Sequence, residues 1–237
     1  MRVLGIDTST KAGSVALIQS VGADICVCPD LCVCPTPCVC IILAEYTHEH
    51  SRDSISDSWL ISAIDRLLQD ENKIDGIAVV IGPGGFTGVR VGVSTAKGLG
   101  YALGVQIAGV ISLDALAANI PDGFVCPIMD AMRGEVYAAF YEDGKRISEY
   151  MLIKPEDLAQ RITLPVTFLG DGVRLWEEFF IKRLPGMVSF APEHNSYIKA
   201  ATVASMGMKM LLEGKGKQPG EIVPLYLRVS NAEERCK

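Results

Sequence analysis

The run Gly82-Pro83-Gly84-Gly85-Phe86-Thr87-Gly88 stands between an apolar stretch, residues 77–81, and a helical pattern over 89–103. A strand, a glycine turn and a helix start in that order aim backbone N–H groups at an anion, with Gly84 and Gly85 nearest a bound phosphate. A second constellation is Asp7-Thr8-Ser9-Thr10, a carboxylate followed by three hydroxyls. Such a group can donate to phosphate oxygens, or the acid can simply cap a turn. Thiols form the third: Cys26, Cys28, Cys32, Cys34, Cys38 and Cys40 lie in a six-residue tandem repeat built on Cys-Val-Cys. All six occupy even positions, so an extended backbone sets every sulfur on one face, open to metal binding or disulfides. Pro29, Pro35 and Pro37 oppose a central strand, and zinc sites usually gather cysteines from two separate places. A surface insertion is the plainer reading. His48 and His50 read as loop or helix-entry residues, and His194 as a surface residue. Asp130, Arg133 and Glu135 form a charged cluster that reads as a salt-bridged scaffold.

These groups need elements to hold them. Residues 3–7 and 14–18 read as strands joined by a polar turn, a hairpin. A strand at 41–44 follows, then a helix carrying Leu60, Ile61, Ile64, Leu67 and Leu68, with Ser54 and Asp57 as a capping pair. Residues 75–81 form a buried strand that feeds the glycine loop. In the next helix Gly88, Gly92, Ala96, Gly100 and Gly104 recur every fourth residue and strip one face of side chains. Its glycines at 88, 92, 98 and 100 forgo about 3–4 kcal/mol of helix propensity, which close approach of a helix or ligand would offset. A second block repeats the plan. It has strands at 125–129, 166–169 and 188–190, a hairpin around Glu142-Asp143-Gly144-Lys145, and helices at 112–118, 173–183 and 197–212. Two successive mixed blocks imply a duplicated α/β architecture, divided into a lobe at 1–110 with a Cys-rich insertion at about 25–40 and a lobe at 111–237 with a returning tail.

The chain has 237 residues and a net charge of −6. That length supplies a full core, and the charge excludes a broad nucleic-acid-binding surface, so any role with RNA runs through a partner. No apolar stretch is long enough for a membrane span, and an acid at position 7 interrupts any signal-like start, so a cytoplasmic protein without membrane partners is expected.

The chain resembles the bacterial TsaB family, also called YeaZ. The resemblance rests on Leu4-Gly-Ile-Asp7-Thr-Ser-Thr10 with Ser14-Val-Ala-Leu17, on Glu49-His50-Ser51, and on residues 82–92 with Ala96-Lys97-Gly98-Leu99. Gly109-Val-Ile-Ser112-Leu113, Asp130-Ala-Met-Arg133-Gly134-Glu135-Val136-Tyr137 and Pro224-Leu-Tyr-Leu-Arg228 complete it, in order across nearly the whole chain. Position 85 is Gly where that family suggests Ser, and the segment between Ile18 and His50 is longer than usual.

The resemblance implies an actin-like, sugar-kinase-like (ASKHA) two-lobed α/β fold with a shortened second lobe. It implies a non-catalytic subunit in the formation of threonylcarbamoyladenosine (t6A) beside the anticodon of tRNAs reading ANN codons. That subunit acts by binding TsaD, with TsaE joining the pair, tRNA contacted only indirectly, and a homodimer when the chain is alone. The implied docking residues are Leu60, Ile64, Gly88, Arg90, Gly92, Ala96, Lys97 and Gly100, with the stripped glycine face receiving the partner's helices. ATP or ADP and a metal ion are expected in the partner complex rather than on this subunit. TsaD-like proteins place two histidines four apart after their glycine motif, and residues 109–118 contain none. In actin-like phosphotransferases an acid at the place of Asp7 sits near magnesium-bound phosphates. A degenerate ATP-using phosphotransferase, or a peptidase, with Asp7, Thr8, Ser9, Gly84 and Gly85 at its site, is therefore the alternative. A metal module on the cysteine repeat is the third.

Overall fold

A computed structural model of the chain describes residues 1–21, 39–49, 58–69 and 73–228. Cys26, Cys28, Cys32, Cys34 and Cys38 lie outside the described residues, as do His50, Ser51, Ser54 and Asp57.

The first sheet holds β1 (Arg2–Asp7), β2 (Ala12–Val21), β3 (Val39–Glu49), β4 (Gly76–Gly82) and β5 (Gln106–Ile111), in the order β3-β2-β1-β4-β5. β1, β4 and β5 run parallel, while β2 pairs antiparallel with β1 and β3 antiparallel with β2. α1 (Ser58–Leu68) and α2 (Phe86–Leu103) cover one face, where Leu60, Ile64, Val89, Val93 and Ala96 pack on Leu4, Ile6, Val15, Val79 and Ile107. α3 (Ser112–Ala117) and α6 (Ala200–Leu212) cover the other, where Leu113, Val203, Ala204 and Met208 pack on Val3, Ala16, Ile18, Ala78 and Val80. Burial on both faces is why β4 reads as a continuous apolar run rather than an alternating one.

The second sheet repeats the plan with β6 (Phe124–Asp130), β7 (Val136–Ala138), β10 (Met151–Ile153), β11 (Val166–Leu169) and β12 (Val188–Phe190), in the order β10-β7-β6-β11-β12. Renumbered within its own block, that is again third, second, first, fourth, fifth, with β6, β11 and β12 parallel. The expected duplication is therefore visible in the strand order. A short ribbon of β8 (Tyr141–Glu142) and β9 (Lys145–Arg146) hangs from β6. Its turn residues Asp143 and Gly144 both take positive φ, 46° and 72°, as a tight Asp-Gly hairpin requires. α4 (Pro155–Gln160) and α5 (Val173–Arg183) pack against this sheet through Leu158 and Phe180.

One boundary needs correcting. The expected division at residue 110 had only the tail return and left α6 in the second lobe, yet α6 lies on the first sheet. A methyl group on Gly207 would collide with Ala78 Cβ, and one on Gly5 would collide with the Ala200 carbonyl. Beyond α6, Lys217 exchanges both backbone hydrogen bonds with Ile107 at 2.9 Å. The first lobe is completed by residues from the far end of the chain.

Candidate functional site

The carboxyl ends of the parallel strands carry the polar groups, as is usual for open α/β sheets. Asp7 ends β1 and is fully buried. Its Oδ1 accepts from the Ser9 N–H at 2.9 Å and from the Ser9 hydroxyl at 2.6 Å, while Oδ2 has no hydrogen-bond partner. Burial pushes the Asp7 carboxyl up to about 6, and the charge of Asp171 adds to the rise. Asp171, in the turn between β11 and α5, is itself raised, first by burial and then by Asp130, with Lys11 opposing. Its Oδ1 accepts the Asp130 N–H at 3.1 Å. Acids from both lobes are thus near enough for the charge of Asp171 to act on Asp7, but no three His, Cys, Asp or Glu side chains among the described residues converge as a metal cage.

The glycine loop adopts the expected strand–turn–helix layout, but its concave side is full. Gly85 N–H donates to the Ser9 carbonyl at 2.7 Å, and the Thr8 hydroxyl donates to the Gly88 carbonyl at 2.7 Å. A methyl on Gly84 would stand 2.5 Å from Ser9 O, one on Gly88 would strike Thr8 O, and one on Gly92 would strike the Thr8 hydroxyl. Thr8 and Ser9, read from sequence as phosphate donors beside Gly84 and Gly85, occupy the space that a phosphate would take. The glycines of this loop thus make room for the chain's own backbone at Thr8 and Ser9.

The same contacts overturn the expected use of the stripped helix face. Gly92, Ala96 and Gly100 point into their own lobe, Gly100 facing Ile107 and Pro219, and Leu60 and Ile64 belong to the same core. Gly88 is half-buried against Thr8. Of the eight residues expected at a docking surface, Arg90 is exposed and Lys97 half-buried on the outer side of α2. Sequence spacing identified a close approach correctly and assigned it to the wrong neighbour, because periodicity does not say whether the approaching backbone is one's own.

The outer surface holds residues the sequence reading missed. Phe86, Tyr101, Leu103 and, on α1, Ile61 are large exposed apolar side chains. Arg90 lies 3.6 Å over the Phe86 ring, and its Nε donates to the Tyr226 hydroxyl at 2.8 Å. Tyr226 belongs to a tail segment noted only as a motif. With 136 residues between it and Arg90, no local pattern could join them.

The remaining candidates resolve into structure. Cys40 is half-buried, its Sγ 3.6 Å from the Met208 sulfur. His48 stacks on Trp59 at 5.3 Å, and His194 sits exposed in a short 3-10 turn. Asp130 accepts the Met132 N–H at 2.8 Å, and Glu135 pairs with Arg228 of the tail. No helix among the described residues is long and apolar enough to cross a membrane.

The family model described as TsaD, tRNA N6-adenosine threonylcarbamoyltransferase, matches residues 49–236. The chain is 30% identical to the tRNA threonylcarbamoyladenosine biosynthesis protein TsaB of Bacillus subtilis, over 99% of this chain and 97% of that protein. It is 29% identical to the Escherichia coli TsaB, over 96% and 95% of the two chains. YeaZ from Pseudomonas aeruginosa superimposes with a TM-score of 0.69 at 22% identity, covering 95% of this chain and 99% of that one. The fold is the actin-like, sugar-kinase-like one, and the chain belongs to the TsaB (YeaZ) family, whose namesakes act in threonylcarbamoyladenosine biosynthesis.

Proposed function

We propose that this chain is a non-catalytic subunit in the formation of t6A on tRNAs reading ANN codons, and that it works by docking a TsaD-type transferase through the outer surface of α1 and α2. The observation that carries this reading is the two-sidedness of α2. Its glycine side is packed against Thr8 and Ser9, where an anion would otherwise bind, while its outer side exposes Phe86, Arg90 and Tyr101. Large apolar side chains beside a fixed cation favour a protein partner. TsaE joins that pair, ATP and a metal ion belong to the partner side of the assembly, and tRNA is held there too. The same apolar surface supports self-association when the partner is missing. The test is co-purification with TsaD from the same source, together with mass spectrometry of tRNA nucleosides after depletion of this chain. Unchanged t6A on depletion would sink the pathway assignment.

A second reading rests on Asp7. A buried carboxyl with an orphan oxygen, near enough to Asp171 to feel its charge, is compatible with a relict phosphotransferase centre. One structure from P. aeruginosa is described as similar to the peptidase YeaZ, a label that keeps hydrolysis in view. ATP or peptide turnover by the isolated chain, abolished by Asp7→Ala, would favour this reading over the first.

A further inference from the structure

The charge on α2 is one-sided in more than place. Its sequence, Phe86-Thr-Gly-Val-Arg90-Val-Gly-Val-Ser-Thr-Ala-Lys97-Gly-Leu-Gly-Tyr-Ala-Leu103, contains two cations and no acid, in a chain of net charge −6. Arg90 and Lys97 are seven residues apart, so they lie on nearly the same side of the helix, about 10 Å apart along its axis. Arg90 is not a free surface arginine. Its guanidinium lies on the Phe86 ring at 3.6 Å and 5.7 Å from the Tyr226 ring, with Nε bonded to the Tyr226 hydroxyl. It makes no other hydrogen bond or ion pair among the described residues, so Nη1 and Nη2 are left for an incoming group.

Tyr226 is in turn held from both sides. Leu225 N–H donates to the Ile81 carbonyl at 2.7 Å, and Arg228 reaches across to Glu135 and the Met132 carbonyl in the second lobe. The tail therefore fixes Tyr226 against Phe86, 5.3 Å from ring to ring, and with it the edge of Arg90 that the Tyr226 hydroxyl holds.

We propose that Arg90, stacked on Phe86 and tied at Nε to the Tyr226 hydroxyl, is a preorganised carboxylate anchor for an acidic surface of the partner subunit, with Lys97 receiving a second carboxylate two turns away. The inference rests on the docking reading above and names the chemistry of that surface. A planar guanidinium with one edge tied and the other open matches a carboxylate fork, and holding the side chain in place beforehand reduces the entropy lost on binding. Exposed Phe86 and Tyr226 supply the apolar surround that excludes water from such an anchor. A nucleic-acid phosphate is the weaker occupant, since two cations on an acidic protein do not form a groove that tracks a backbone.

The test is calorimetric titration of full-length chain and variants with TsaD from the same source, at 50 and 500 mM salt. Arg90→Ala is expected to weaken binding by about 10- to 100-fold. Arg90→Lys, which keeps charge but loses the fork, should recover little of that. Tyr226→Phe, which keeps the ring and deletes the hydroxyl, should cost several-fold with Arg90 present and almost nothing in the Arg90→Ala background. Unchanged melting temperatures across the set separate anchoring from folding. A wild-type complex that all three variants form equally well overturns the anchor alone. Absence of any wild-type complex overturns the docking reading and the anchor with it. Binding of tRNA that competes with TsaD and disappears in Arg90→Ala overturns the carboxylate assignment.

Discussion

At residue 7 the chain keeps a carboxyl in a setting that disfavours its charge. The folded protein holds the Asp7 proton up to about pH 6, whereas the ordinary value is 3.8. Folding therefore favours the protonated form. The stability Asp7 contributes is fully present below about pH 4 and is lost as pH rises through 6, amounting to roughly 2–3 kcal/mol by pH 7. Asp7→Asn retains an oxygen for both Ser9 donors and carries no charge, so it should raise stability at pH 8 by up to that amount and leave stability at pH 4 nearly unchanged. Urea denaturation at the two pH values measures this. Equal denaturation midpoints for wild type and variant at pH 8 would show that Asp7 is not the buried charge described. Asp114, half-buried, is instead well partnered, accepting hydroxyls from Tyr141 at 2.6 Å and Tyr150 at 2.7 Å. Both phenols are held well above their ordinary range by burial and by that acid, so they remain hydroxyl donors.

The helix α2 gives a sharper contrast, because its glycines differ only in what surrounds them. Position 98 has nothing within 4 Å of an added methyl, so Gly98→Ala should gain the helix propensity of alanine, about 0.8–1 kcal/mol. Gly88→Ala gains the same propensity but drives a methyl into the Thr8 carbonyl, and should lose about 1–3 kcal/mol net. Chemical denaturation of the two variants distinguishes a packed stripe from an open one. If Gly88→Ala were as stable as Gly98→Ala, the glycine side would be free. At this scale the sequence was informative. The runs 173–183 and 188–190 coincide with α5 and β12, and the Asp-Gly turn lies where its residue types placed it. What stayed hidden was non-local. Hydrophobic period reveals which side of α2 is bare, but not that Thr8, eighty residues earlier, fills it. Likewise β7 pairs with β10 rather than extending the β8–β9 ribbon, because register is set between strands that sequence windows treat separately.

For the molecule as a whole, the two sheets share one strand order but are not independently closed. α6 comes from residues 200–212, yet it covers a face of the sheet built from residues 2–111. A fragment of residues 1–111 should therefore fail to fold, since Val3, Ala16, Ile18 and Val80 would lose their cover. Joining residues 196–228 to that fragment through a flexible linker should restore native-like amide dispersion in NMR spectra. A folded 1–111 fragment would return the lobe boundary to its expected place. The tail adds a lighter connection, Arg228 to Glu135, with both side chains mostly buried. Arg228→Ala should cost about 1–3 kcal/mol and speed proteolysis of the C-terminal segment, as followed by mass spectrometry.

The late return of α6 also has a consequence in time. During synthesis, residues 2–111 emerge long before residue 212. At about 5–20 residues per second, the roughly 100 intervening residues take about 5–20 seconds to appear. For that interval the apolar residues of the first lobe are on the ribosome without the helix that covers them. A nascent chain in that state is a natural client for holdase chaperones. Assembly with any partner that recognises the finished first lobe must then wait until α6 has been made, whatever the abundance of that partner.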